Sequence, residues 1–329
     1  MTFLKAFSFA LALASAVHAK PISNSPTRVV ARQAPPEPSS YPLGDACTNE
    51  WRYLNFDPDN ETDKAHLELL HNILCSGEML AITSYGAGAA ERALKPYLRH
   101  FGLNEEQDDP AERPDEYHFQ NHVKNVLNLL AGDGENNVKL GAVVGSFVVD
   151  NKDFGADIPN ASNCDGRTYA YTLVDEPVDQ QEKIHFCDIT WTGRLESIAD
   201  IDCGALDPYP SVKMDSISRI ILHEWTHYSS VGPKTSLEDK IQDRLNDDGV
   251  SAYEPDRTHG LIDPEQDDDP VGASLNADNY AWMALDAYVS RICATDPSGD
   301  NWQTFFTENP PDYEREDDSD PETPPSSRA

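Results

Sequence analysis

An α+β fold is predicted for the body of this 329-residue chain, on three observations. Apolar residues recur at helical spacing through the first half. Runs rich in Val, Ile, Thr, Tyr and Phe fill the middle. A second set of helical patterns follows, and its first member carries His223-Glu224-Trp225-Thr226-His227.

The elements follow in order. His66, Leu67, Leu69, Leu70, Ile73 and Leu74 repeat with helical period, and Met79 to Leu98 continues as an alanine-rich helix. His122 to Leu130 forms another, ended by Gly132-Asp133-Gly134. Residues 139–150 read as a strand or hairpin, and Thr168 to Val174 and Ile184 to Trp191 as further strands. The motif helix comes next, with Asp215 or Ser216 at its start and Ile217, Ile220, Ile221 and Leu222 as its buried face. A charged helix is expected from Ser236 to Leu245, then an irregular stretch to Asp269, then a last helix from Ser274 to Cys293.

Composition frames this body. Residues 1–19 read as a signal peptide: Lys5 is the single charge before the apolar run Ala6 to Val17, and Val17-His18-Ala19 sets small residues at the cleavage positions. No later run has the apolar length to span a bilayer, so no membrane partner is expected. Residues 20–40, rich in Pro and Ser, read as a flexible leader or a short pro-segment trimmed after Arg32. Residues 41–308 form the folded domain, and residues 309–329 an acidic, proline-rich, disordered tail. The formal charge of -33 excludes nucleic acid as a partner, because phosphate requires a basic surface. Six cysteines in a secreted chain suggest disulfides, with fifteen possible pairings. Asn60-Glu61-Thr62 and Asn160-Ala161-Ser162 are glycosylation acceptor sequences.

The pentapeptide carries the chemistry. Residues four apart share a helix face, so His223 and His227 can bind one Zn²⁺ together. Glu224 then stands beside the metal, where a general base is needed to take a proton from water. A catalytic zinc needs a third protein ligand and an open position. The short spacing that would offer a third histidine is absent, since Val231, Gly232 and Pro233 follow the motif. Downstream carboxylates and His259 remain as candidates. His66, His71, His100 and His185 read as structural, His118 and His122 as an exposed helix face, and Asp267-Asp268-Asp269 as a solvated loop.

The pattern resembles that of the fungal deuterolysin-like, or aspzincin, metallopeptidases, which include lysine-specific metalloendopeptidases. Three pieces carry the resemblance: His223 to His227; Asp256-Arg257-Thr258-His259-Gly260, with His259 where the family has tyrosine; and Asn276-Ala277-Asp278-Asn279-Tyr280. The resemblance spans roughly residues 130–293. It implies a zincin-like domain with one zinc per chain, held by His223, His227 and Asp256. It makes Glu224 the base and His259 the oxyanion stabiliser. The Gly-Thr before the family's aspartate is missing and the stretch after His227 is long, which leaves Asp263, Asp247 and Asp248 as rival ligands. Asp278 either lines a substrate pocket or braces the last helix. The family's paired strand region also implies a Cys164–Cys187 disulfide.

The function expected is a secreted, monomeric zinc endopeptidase acting on extracellular protein or peptide. The alternative is an inactive zinc-binding secreted antigen. Those proteins typically carry Arg at the motif glutamate and often have His-rich ends; here Glu224 is intact and the tail has no histidine.

Overall fold

The computed structural model describes residues 52–75, 77–102, 119–132, 140–141, 143–144, 147–153, 163–174, 182–192, 194–245, 249–262, 272–296 and 300–311. The signal peptide, the leader, residues 312–329 of the tail, Cys47, His118, Asn160, Asp247, Asp248, Asp263 and Asp267 to Asp269 lie outside these.

The chain is α+β. Among the described residues, strand β1 (Arg52–Leu54) precedes four helices: α1 (Glu61–Cys75), α2 (Glu78–Glu91), α3 (Lys95–Phe101) and α4 (Phe119–Ala131). Strands β2 (Val148–Asp150), β3 (Ala170–Leu173) and β4 (Lys183–Phe186) follow, then α5 (Ile217–Thr226), α6 (Glu254–Gly260) and α7 (Ala277–Cys293). The sheet runs in the order β1-β2-β4-β3. β1 and β4 lie parallel to β2, and β3 pairs antiparallel to β4, with Thr172 opposite Ile184. β3 is thus an edge strand, and its side chains reach the motif helix.

Local chemistry explains where the elements stop. Asn60 accepts backbone N–H bonds from Thr62 (2.9 Å) and Asp63 (3.3 Å), capping α1. The exposed acceptor residue Asn60 thus holds a helix start. The single helix expected over Met79 to Leu98 is two. Ala93 adopts φ 46°, outside the right-handed region, and Pro96 opens α3 in the first turn, where its missing N–H costs no bond. β4 ends at Phe186, and Asp188–Trp191 is a 3-10 turn rather than more strand. Ser216, not Asp215, caps α5, accepting from the Arg219 N–H.

α7 is the central beam. Leu285, Trp282, Met283 and Tyr280 are fully buried, and α2, α3, α5 and α6 all pack on it. α2 approaches closely because Gly86 faces Ala284; a Cβ at Gly86 would lie 2.8 Å from the Ala284 Cβ. Among the described residues two disulfides are present. Cys164–Cys187, the pairing implied by the resemblance, ties the segment before β3 to the end of β4. Cys203–Cys293 ties the loop before α5 to the end of α7. Among the described residues no helix is long and apolar enough to cross a membrane.

Charge is buried on α7 as well. Asp286 is fully buried and receives the Arg99 fork, Nε at 2.8 Å and Nη2 at 2.9 Å. His100 lies 3.6 Å away and Ser290 donates to the same carboxylate. Burial alone would raise the Asp286 pKa; the Arg99 guanidinium and His100 overrule it and hold it at about 2. Burial pushes His100 the other way, favouring its neutral form.

The sign of the pH dependence follows. A carboxyl near 2 in the fold and near 3.9 in the unfolded chain stabilises fully above about pH 4, and that stability fades as pH falls to about 2. A histidine kept neutral in the fold adds acid lability below its unfolded pKa of about 6.5. Denaturant unfolding followed from pH 7 to 3 should therefore show a falling midpoint throughout. Asp286→Ala strands a buried guanidinium and should cost about 3–5 kcal/mol at pH 7; a loss under 1 kcal/mol would mean that the pair is not structural.

Candidate metal centre

The site is built on the last turn of α5. His223 and Glu224 are buried, and His227 follows at the C-terminal cap. Each imidazole is fixed by its Nδ1–H. His223 donates to Asp278 Oδ1 (2.6 Å) and His227 to the carbonyl of Ile241 (3.1 Å). Both Nε2 atoms therefore present lone pairs, and they face each other at 3.1 Å. The third group to arrive is Asp243. Its Oδ1 lies 3.1 Å from His223 Nε2 and 3.4 Å from His227 Nε2.

These three residues form a group able to hold a metal ion. Three acceptor atoms converging without a donor repel one another unless a cation or protons lie between them. Tetrahedral zinc with ligands at about 2.0–2.1 Å sets neighbouring ligand atoms about 3.3–3.4 Å apart. The observed separations of 3.1–3.4 Å fit. Electrostatics agree that the centre favours positive charge. Burial would lower both histidine pKa values, but Asp278 and Asp243 raise that of His223 well above its usual value, and Asp243 raises that of His227. Burial would raise Asp243, but the two histidines facing it hold it well below the usual carboxylate range.

Glu224 sits on the same turn. Thr172 of edge strand β3 donates to its Oε2 at 2.7 Å and fixes that end of the carboxylate. Burial raises the Glu224 pKa, and the neighbouring histidines and Thr172 offset part of that rise. Tyr253 completes the surroundings. Its ring centroid lies 6.0 Å from that of His223, and the Asp243 charge is close enough to act on its hydroxyl. Burial and the Asp243 charge keep this phenol protonated, hence a donor.

The Asn276-Ala277-Asp278-Asn279 stretch holds all this in register. Asn276 Oδ1 accepts from Arg244 N (3.0 Å) and its Nδ2 donates to the Ala252 carbonyl (3.0 Å), so it clasps both arms of the segment that delivers Asp243. Gln242 pairs with the backbone of Leu275 and Ala277 on either side. Asp278 Oδ2 accepts from Glu254 N at 3.1 Å. Glu254 has φ 72°, a backbone strain worth about 1–3 kcal/mol, so a carboxylate that braces His223 also pins the residue next to Tyr253.

Several expectations are corrected. Asp256 lies on α6 and does not join the histidines; Asp243 does. Residues 236–245 form no helix. Leu237, Ile241 and Leu245 recur every four residues and imitate a helical face. In the structure Ile241 is buried and Leu245 is 53% exposed on a bridged, extended segment. Mistaking that segment hid Asp243. One signal was available: the segment carries one apolar residue per turn, where a packed helix needs the i+3 neighbour as well. His259 donates Nδ1–H to the Arg99 carbonyl at 2.8 Å, while the ring of Tyr253 lies 6.0 Å from that of His223. Asp278 is 1% exposed and fully engaged, a brace rather than a pocket wall. The other described histidines have structural partners: His66 stacks on Trp191, His71 meets the Tyr53 hydroxyl, and His185 donates to the Asp150 carbonyl.

No protein-family model matches the chain, and no curated protein matches it.

Asp243→Ala should lower zinc affinity by more than the ~10–100-fold that loss of an outer-shell partner typically costs, whereas Asp256→Ala should leave it unchanged. Metal analysis of the dialysed variants, against about one ion per chain for the wild type, decides between the two ligands.

Proposed function

We propose that the chain is a secreted zinc-dependent endopeptidase. One observation carries the reading. The lone pairs of His223, His227 and Asp243 converge at zinc-ligand spacing, with the carboxylate of Glu224 one residue from the first ligand. Secretion is supported by the N-terminal signal pattern and by two disulfides, which persist in oxidising compartments.

His223, His227 and Asp243 would hold the ion, three protein ligands being the pattern of a catalytic rather than a structural zinc. When bound, zinc supplies Lewis acidity, lowering the pKa of water to about 7 and polarising the scissile carbonyl. The chain supplies the rest. Glu224, anchored through Oε2 by Thr172, takes the proton of the attacking water at Oε1 and later delivers it to the leaving amine. Tyr253, a protonated phenol 38% exposed, donates to the oxyanion as negative charge develops. Asp243, with a side chain 44% exposed, leaves its side of the group open to solvent.

Glu224→Gln keeps the shape and the Thr172 contact but takes no proton. Peptidase activity should fall about 10²–10⁴-fold with zinc still bound. Tyr253→Phe should lower kcat, by up to ~10²–10³-fold, with little change in KM, because the oxyanion exists only in the transition state. The assay is cleavage of denatured protein and peptide libraries by the zinc-loaded, leader-trimmed chain. Wild type that binds zinc and cleaves nothing would fit the inactive zinc-binding antigen instead.

A further inference from the structure

Counting back from His227 in steps of four gives His223, Arg219 and Asp215, one continuous face of α5 and its approach. The two histidines belong to the metal centre. The other two residues have no place in the mechanism above, yet Arg219 is only 7% exposed. A guanidinium is not buried without partners. Arg219 has two carboxylates and a ring. Its Nε and Nη2 reach Asp215 at 2.9 and 3.3 Å, its Nη1 reaches Asp278 Oδ1 at 2.8 Å, and its plane lies over Trp282, 4.8 Å from the ring centroid. Asp215 is held in turn by Arg194 Nε at 2.7 Å.

The oxygen that Arg219 binds is the one that His223 uses. Asp278 Oδ1 receives both Arg219 Nη1 and His223 Nδ1, while Oδ2 takes the Glu254 N–H. We propose that Arg219 is a positioning residue for the metal centre: by pinning Asp278 Oδ1 it fixes the ring of His223, and so the point at which Nε2 meets Asp243 and His227. The proposal rests on the metal-site reading. Without the guanidinium, the carboxylate can turn about its own side-chain bond. The imidazole turns with it, and a three-ligand site loses its geometry although every ligand is still present. A purely structural Arg219 would hold α5 against α7 and leave the ring's direction indifferent.

The test compares two equally buried arginines. Arg219→Lys keeps a charge but loses the fork that holds Asp215 and Asp278 together. Arg99→Lys makes the same change at the Asp286 cluster, away from the histidines. Zinc affinity by competition with a chelating dye, the visible absorption of the cobalt-loaded protein, and thermal midpoint are measured on all three full-length chains. Arg219→Lys should weaken zinc about 10-fold or more and shift the cobalt bands, whereas Arg99→Lys should leave both unchanged even if its midpoint falls as far. Asp215→Asn, which loosens the guanidinium from its other side, should move the same two readouts in the same direction. It serves alone if Arg219→Lys does not fold. Wild-type affinity and cobalt bands in the Arg219 or Asp215 variant overturn the proposal. So does zinc loss in both arginine variants in proportion to lost stability. Wild type that takes up no zinc overturns the metal centre itself, a result distinct from either.

Discussion

The carboxylate of Asp278 ties the molecule to its site. It stands in the first turn of α7, is almost wholly buried, and accepts from a guanidinium, an imidazole and a backbone amide belonging to two other segments. Burial alone would raise its pKa, but Arg219 and His223 hold it at about 2, so it remains an acceptor throughout the physiological range. An obligate acceptor fixes the proton on His223 Nδ1 and turns Nε2 outward. The packing of α5 on α7 therefore also orients a candidate metal ligand.

The same helix carries a second buried carboxylate, Asp286, two turns further on, paired with Arg99 from α3. Both pairs cross between helices that otherwise meet through apolar side chains. Buried ion pairs contribute little net stability compared with well-packed hydrophobes, because desolvation offsets their attraction. They do penalise misplacement, since a slip of one helix leaves a charge unpaired. In this fold they set the register of α3 and α5 against α7, which a face of Ala, Leu and Met side chains would leave loosely defined.

Asp243 shows how a candidate metal centre can draw on irregular backbone. Asp243 lies on an extended segment with no helix of its own, and such a segment is rigid only where its backbone bonds are met. Asn276 meets them through Arg244 and Ala252, and Leu275 and Ala277 through Gln242. Thr172 does the corresponding work for Glu224 from the sheet edge. The centre is thus a meeting of α5, the start of α7, strand β3 and one loop, each held by at least one specific polar contact.

The sequence by itself determined the α+β class, the α1, α4, α5 and α7 helices, and the pairing of His223 with His227 beside Glu224. These depend on periodicity and on a four-residue spacing, both local properties of the chain. Asp278 stood out as well, but its choice between pocket and brace depended on whether Arg219, four residues before His223, would meet it. Only the tertiary structure decided that, and only it brought Asp243 rather than Asp256 to the two histidines. The physical reason is the same each time. A ligand on an irregular segment is placed by backbone bonds to residues more than thirty positions away, such as Arg244 to Asn276, and no local pattern encodes them. The charged run 236–245 shows the hazard from the other side: its four-residue apolar spacing satisfied a helical rule, while its bonds to the start of α7 drew it out straight.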